Sequence, residues 1–183
     1  MKSNLQIISG KYRGKKLSLP MGARPTQNMA RGALFNMLNE ILNVSQPFIV
    51  WDVFAGSGAF GLECLSRYDN AKVVFTDNNK TSIDTVNKNL SSVSESAIVE
   101  LADAISVISK YGATADLIFL DPPYADFRLG IVFVKKLAKI AKNGALLIWE
   151  FESAQEEPKI EDVWEILKDK TYGRARFLIL RKK

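Results

Sequence analysis

Val50-Trp51-Asp52-Val53-Phe54-Ala55-Gly56-Ser57-Gly58-Ala59-Phe60-Gly61 decides the fold. The apolar run over 48–54 reads as a buried strand, glycines then turn the chain, and a helix is expected over 59–67. Gly56 and Gly58 permit a sharp turn and leave room for a ligand against the main chain. Asp52 lies inside the end of the apolar run. A carboxylate there requires a partner, which either a ligand's ammonium group or buried backbone N–H groups would supply. A second such run, Leu117-Ile118-Phe119-Leu120, ends in Asp121-Pro122-Pro123-Tyr124. Around these two, strands are expected over 71–76, 97–101, 115–120 and 145–151, and helices over 80–90, 104–110 and 129–141, with Asn143-Gly144 as a helix stop. That alternation makes a parallel sheet covered on both faces. The runs 163–168 and 174–180 close the chain as an antiparallel pair around Lys170-Thr171-Tyr172-Gly173.

Working back toward the start, a helix is expected over 28–42, with Thr26 as its cap. Short apolar runs at 5–8 and 16–19 flank Ser9-Gly10-Lys11-Tyr12-Arg13-Gly14, which reads as a turn. The expectation is a basic hairpin outside the main core. Residues 1–26 would then form an N-terminal extension and 27–183 the main domain. Lys2, Lys11, Arg13, Lys15, Lys16, Arg24 and Arg31 all precede the first acid, Glu40, in a chain whose formal net charge is +5. So one-sided a charge distribution suits a polyphosphate partner, nucleic acid above all.

At 183 residues and 47% hydrophobic, the chain suits one domain with a sizeable core. No apolar run approaches the roughly 20 residues of a membrane helix, and Met1 to Gly10 carry no apolar signal-peptide core, so a cytoplasmic protein is expected. The single cysteine, Cys64, excludes an internal disulfide and a cysteine-rich zinc site. Flanked by Leu62 and Leu65, it reads as a small buried residue rather than a nucleophile. With no histidine in the chain, histidine acid/base and histidine–metal chemistry are also excluded, and no metal is expected.

Acids recur at the carboxyl ends of successive strands, on the edge where ligands bind in open parallel sheets. Asp77 is placed to meet ribose hydroxyls or to form a strand-end turn. Asp103 is placed to meet an adenine amino group or to cap the next helix. Asp121-Pro122-Pro123-Tyr124 is the more specific signal. An aromatic exocyclic amine is a poor nucleophile because its lone pair is delocalised into the ring. Asp121 and the Pro122 carbonyl can accept bonds from its N–H groups, Pro123 restricts the backbone, and Tyr124 offers a ring for stacking.

These residues resemble the class I S-adenosylmethionine-dependent methyltransferases that act on nucleobase amines. The chain is most similar to the bacterial RsmD family, which methylates guanine N2 in 16S rRNA of the small ribosomal subunit. The resemblance runs nearly end to end: Ile7 to Leu17, Arg24-Pro25-Thr26 before Leu34-Phe35-Asn36, Asp52 to Gly58, Gly61-Leu62-Glu63, Leu65-Ser66-Arg67, and Asp121 to Tyr124. It implies a Rossmann-like α/β fold, with a seven-stranded, mostly parallel sheet and an antiparallel C-terminal hairpin. It implies S-adenosylmethionine held by Asp52, Phe54, Ala55, Gly56, Ser57 and Gly58, with Asp77 on the ribose, Asp103 and Ala104 near the adenine, and Asp121 at the methyl end. Lys11, Arg13, Lys15, Lys16, Arg24, Thr26 and Arg31 would meet rRNA in the small subunit or its assembly intermediate, and the protein would be a monomer. Two departures stand out. The family commonly has Arg-Glu where this chain has Arg31-Gly32, and it usually has Glu at Asp77.

Other readings compete. A DNA adenine-N6 or cytosine-N4 methyltransferase would use a similar tetrapeptide, but the chain has no sizeable insertion to read DNA sequence. Against a non-catalytic RNA-binding assembly factor stand the intact glycine loop and tetrapeptide. Nothing supplies the hydride-handling site of a nicotinamide oxidoreductase.

Overall fold

The computed structural model describes residues 5–20, 28–43, 45–93, 95–156, 158–160 and 162–183. The helix α1 (Asn28–Ile41) precedes alternating strands and helices: β1 (Phe48–Asp52), α2 (Ala59–Arg67), β2 (Ala71–Asp77), α3 (Lys80–Leu90), β3 (Ile98–Leu101), α4 (Ile108–Tyr111), β4 (Leu117–Leu120), α5 (Phe127–Leu137) and β5 (Leu146–Glu152). The strands β6 (Trp164–Tyr172) and β7 (Ala175–Lys182) close the chain. The seven strands lie in the order β3-β2-β1-β4-β5-β7-β6, the first five parallel and β7 antiparallel to both neighbours. This is the Rossmann-like sheet expected. Strand order reverses between β1 and β4, so the two adjacent crossovers leave in opposite directions and open a crevice at their carboxyl ends.

Strand alternation divides the core between the sheet's two faces. On one face Phe48, Val50, Phe75, Leu117, Phe119, Ile148 and Phe177 pack with α1 and α2. On the other, Trp51, Ile118, Leu120, Leu147 and Trp149 pack with α4 and α5. Asp52, Asp121 and Glu150 continue the first face along β1, β4 and β5, because each lies two residues past an apolar member of it.

The expected hairpin is found, but its position corrects the expectation. Gln6 bridges Lys16, and Leu5, Ile7 and Leu17 are buried within the first core face rather than outside it. Polar tethers from α2 explain the docking. Glu63 accepts from the Ile8 and Ser9 amides at 2.8 and 2.9 Å, and the Ser66 hydroxyl accepts from the Tyr12 amide at 3.0 Å. At Gly10 (φ +83°) a Cβ atom would stand 1.9 Å from the Ser66 carbonyl oxygen, so the segment reaches α2 only through glycine.

Three boundaries differ from expectation. The helix expected over 104–110 shrinks to α4, because the Asp103 carboxylate accepts from the Ile105 and Ser106 amides and holds a turn instead. α5 starts earlier than expected, capped by Asp126 on the Leu129 amide, and ends before Asn143-Gly144. β6 absorbs Lys170 to Tyr172, leaving Gly173-Arg174 as the turn between the paired Tyr172 and Ala175. The cap assigned to Thr26 lies outside the described residues.

Candidate active site

The crevice at the strand reversal holds an open cleft of about 100 Å³. Its floor is the carboxyl edge of the sheet, with Asp52, Phe119, Asp121, Glu150 and Phe177. One wall is the glycine loop from Phe54 to Ser57, and the other is Leu5, Leu19, Arg31 and Leu34 from the N-terminal segment and α1.

The loop is held by its own backbone and by Asp77. Gly56 and Gly58 take positive φ (+54° and +75°), and Gly58 starts α2 from the left-handed region. Asp77 accepts from the Gly56 amide at 2.9 Å and the Asn79 amide at 2.8 Å. Both of its oxygens are thus engaged with backbone, and Asp77 does not line the cleft. Asp52 accepts from the Gly61 amide at 3.0 Å. Burial pushes its carboxyl up to about 8, partly opposed by that amide and reinforced by Asp77. Of the two partners left open for Asp52 by the sequence, a backbone N–H is present, and the carboxylate still borders the cleft.

Asp121 follows β4 directly and is half-buried; Pro122 is buried and Pro123 exposed. Tyr124 opens a short 3-10 helix, Tyr124–Asp126, and its hydroxyl donates to Glu150 Oε1 at 3.2 Å. Glu150, only 2% exposed, leaves Oε2 buried without a hydrogen-bond partner. Burial lifts the Glu150 carboxyl to about 7. Asp121 is raised well above the carboxylate range by burial, then by Glu150 and Asp52. Burial and Glu150 also push the Tyr124 phenol upward. The site gathers three carboxyl groups whose ionisation burial opposes, so it suits cations and N–H donors that favour the charged forms.

The structure brings Asp52, Phe54, Ala55, Gly56, Ser57 and Asp121 to one cleft, with Gly58 beneath the loop and Tyr124 reaching it through Glu150. Asp103 is exposed and Ala104 buried; neither lines that cleft. Arg13, Lys15 and Lys16 are exposed at the hairpin tip, as RNA ligands must be. Lys11 is instead tied to Glu95 at 2.5 Å and Asp69 at 3.5 Å. Arg31, expected to meet rRNA, is buried and stands in the cleft wall rather than on the outer surface. It is 2% exposed, donates to the Gln6 carbonyl, and lies 3.7 Å from Glu63. Arg24 and Thr26 lie outside the described residues. Cys64 is fully buried, and burial drives its thiol well up, as befits a structural residue. Sequence reasoning missed Glu150, although a charge inside Leu146-Leu147-Ile148-Trp149-Glu150-Phe151 is the same signal that singled out Asp52.

The family model described as conserved hypothetical protein 95 matches residues 5–181. The chain belongs to that family, the RsmD family. It is 31% identical to the ribosomal RNA small subunit methyltransferase D of Escherichia coli, across 97% of this chain and 90% of that protein. It is 34% identical to the protein of the same name from Haemophilus influenzae, across 94% and 91%. Among solved structures, a putative methyltransferase from Escherichia coli superposes with TM-score 0.82 at 30% identity, covering 97% of both chains. Among the described residues, no helix is long and apolar enough to cross a membrane.

Proposed function

We propose that the protein transfers a methyl group from S-adenosylmethionine to the exocyclic N2 of a guanine in small-subunit rRNA. The observation that carries this reading is that Asp121, the first residue of Asp121-Pro122-Pro123-Tyr124, lines the same cleft as the glycine loop and Asp52, in a chain of this family. The residues present fit the cofactor. Asp52 is a buried acid beside the cleft, and a cation brought against it would return it to the ionised form. The Phe54–Ser57 backbone gives close approach, Asp77 at the end of β2 is the candidate for the ribose, and Asp103 with Ala104 for the adenine end. When bound, S-adenosylmethionine supplies an electrophilic methyl on its sulfonium.

The chain's own residues orient the amine. Asp121 accepts one N–H and the Pro122 carbonyl the other, which turns the nitrogen lone pair away from both and toward the glycine-loop side. Burial and two neighbouring acids raise the proton affinity of Asp121, which makes its carboxylate a competent receiver of the amine's proton. Tyr124 supplies the stacking ring. A base reaching this floor must leave its stack. Holding amine and methyl donor in one cleft contributes most of the rate. Arg13, Lys15 and Lys16 meet rRNA phosphates outside the cleft.

The test is methyl transfer to small-subunit rRNA from cells lacking this protein, followed by nucleoside analysis. N2-methylguanosine is expected, and Asp121→Ala should slow transfer by on the order of 100-fold while S-adenosylmethionine still raises the Tm. N6-methyladenosine as product, or full turnover by Asp121→Ala, would overturn the reading.

A further inference from the structure

Glu150 is the buried titratable group that the orientation of the amine does not use. It has three relevant properties. It lines the cleft floor with Asp121. Its Oε1 is already occupied by the Tyr124 hydroxyl, while Oε2 is buried with no partner. Finally, Leu120 on β4 pairs with Trp149 on β5, so the next residues along these parallel strands, Asp121 and Glu150, stand side by side on the same face. Neighbouring strands lie about 4.8 Å apart, so two carboxylates project in parallel from adjacent strand ends.

A buried carboxylate oxygen without a donor is unfavourable, so the site is built to receive one. The target base has a matching edge. Guanine carries its N1–H directly beside the N2 amine, so two adjacent donors face two adjacent acceptors. Adenine and cytosine place a lone pair at the ring nitrogen beside their amines, and that lone pair would face an anion.

We infer that Glu150 Oε2 accepts the N1–H of the guanine whose N2 amine is held by Asp121, and that this bond makes the site selective for a base protonated at its ring nitrogen. The inference rests on the guanine-N2 reading above. Tyr124 serves it in a second way, because its hydroxyl occupies Oε1 and leaves Oε2 toward the base. A site built around such a bond rejects analogues lacking the donor far more strongly than an apolar pocket rejects a change of size.

The test compares guanine with 2,6-diaminopurine at the target position of a small-subunit rRNA substrate. Diaminopurine keeps the 2-amine but has an unprotonated N1. Single-turnover rates are measured with the full chain and saturating S-adenosylmethionine at pH 8, above the value of about 7 at which Glu150 ionises. The wild type should methylate diaminopurine at least about 100-fold more slowly than guanine. Glu150→Gln should slow guanine transfer about 10-fold or more and shrink the guanine/diaminopurine ratio at least about 10-fold, because an amide can donate to the unprotonated nitrogen. Its S-adenosylmethionine Kd should match wild type. Glu150→Asp keeps the charge and loses reach, so it should slow guanine and give a ratio between those of the wild type and Glu150→Gln. An equal ratio in wild type and Glu150→Gln would overturn the inference, as would a loss confined to cofactor Kd. Should Glu150→Gln not fold, comparable wild-type rates on the two bases would be enough to reject it. A product other than N2-methylguanosine would remove the underlying reading instead, whereas N2-methylguanosine with an unchanged ratio removes only the role of Glu150.

Discussion

Two buried glutamates, one on α2 and one on β5, are treated oppositely. Glu63 is fully buried and saturated: it accepts from the Ile8 amide at 2.8 Å, the Ser9 amide at 2.9 Å and Arg67 Nε at 2.7 Å, with Arg31 Nε at 3.7 Å. Glu150 is as deeply buried, but its one hydrogen bond is from Tyr124 and its Oε2 has none. The first arrangement compensates burial completely within the chain, and so it builds architecture. The second leaves an acceptor uncompensated where the cleft is, and so it implies a ligand. Burial alone does not mark a functional charge; what matters is whether the chain itself completes the coordination.

Removing the saturated glutamate should have the largest effect. Glu63→Ala leaves the Arg31 and Arg67 guanidinium groups without their carboxylate and frees the Ile8 and Ser9 amides. Breaking a buried ion pair from one side costs about 3–5 kcal/mol. For a chain of this size that is a fall in Tm of roughly 10 °C. Cleavage by a protease within residues 5–20 should quicken at the same time, since the hairpin loses its tether to α2. A Tm within about 2 °C of wild type would show that the hairpin is held by its apolar residues alone.

Substituting the unsaturated glutamate should act in the opposite sense, and its effect should depend on pH. The Glu150 carboxyl is raised from 4.5 to about 7 by burial. A group that binds its proton more tightly in the folded state contributes stability that is complete below the unfolded value. That contribution is lost as pH rises through the folded value. The wild type therefore loses stability between about pH 4.5 and 7 on this account, and Asp52, raised from 3.8 to about 8, adds a loss of the same sign. Glu150→Gln mimics the protonated form. It should be more stable than wild type at pH 8 by on the order of 2 kcal/mol and nearly equal to it at pH 4.5, as urea denaturation would read. A variant less stable than wild type at pH 8 would mean that Glu150 is satisfied as it stands, and the contrast with Glu63 would collapse.

The same contrast explains what was legible in the sequence. The sheet was readable because its parallel strands are continuous apolar runs bounded by turns, and 59–67 and 80–90 match α2 and α3 residue for residue. Asp52 and Asp121 were visible as charges closing apolar runs. Glu150 carries the same mark, but it sits before Phe151 and Glu152 rather than before a glycine or proline turn, so nothing local flagged the strand's end. The hairpin was misplaced because its charge was read and its partners were not. Glu63, Ser66 and Asn89 are more than 50 residues away in sequence, and only tertiary contact reveals that they bind the Ile8, Ser9, Tyr12 and Ser18 amides. Arg31 was grouped with the exposed cations for the same reason: a basic segment looks uniform until some of its cations prove to be inside.

That distinction among cations gives the third prediction, smaller in free energy. Arg13, Lys15 and Lys16 are exposed, Lys11 is committed to Glu95, and Arg31 is buried beside Glu63. Replacing Arg13, Lys15 and Lys16 together with Ala should weaken rRNA binding about 10-fold near physiological salt. It should also flatten the dependence of log affinity on log salt by about 2–3, as fewer counterions are released. Cofactor affinity should not change. An unaltered salt slope would locate the phosphate contacts on another surface and leave the hairpin as a wall of the cleft alone.

The smallest effect is expected at Gly32, on the tethered side of the molecule. It lies in the interior of α1 next to Arg31. Its backbone is ordinary helix, and the nearest atom to an added Cβ, Ile8 Cδ1, stands at 4.0 Å, which is normal contact. Gly32→Ala therefore removes backbone freedom from the unfolded chain without strain in the folded one, and should stabilise by about 0.5–1 kcal/mol, or roughly 2–3 °C in Tm. If the Glu63 region is architecture, stiffening α1 leaves single-turnover methyl transfer unchanged. A slower rate with a raised Tm would mean that α1, which carries Arg31 and Leu34 into the cleft wall, has to move when substrate enters. The saturated region would then be part of the working site and not merely its support.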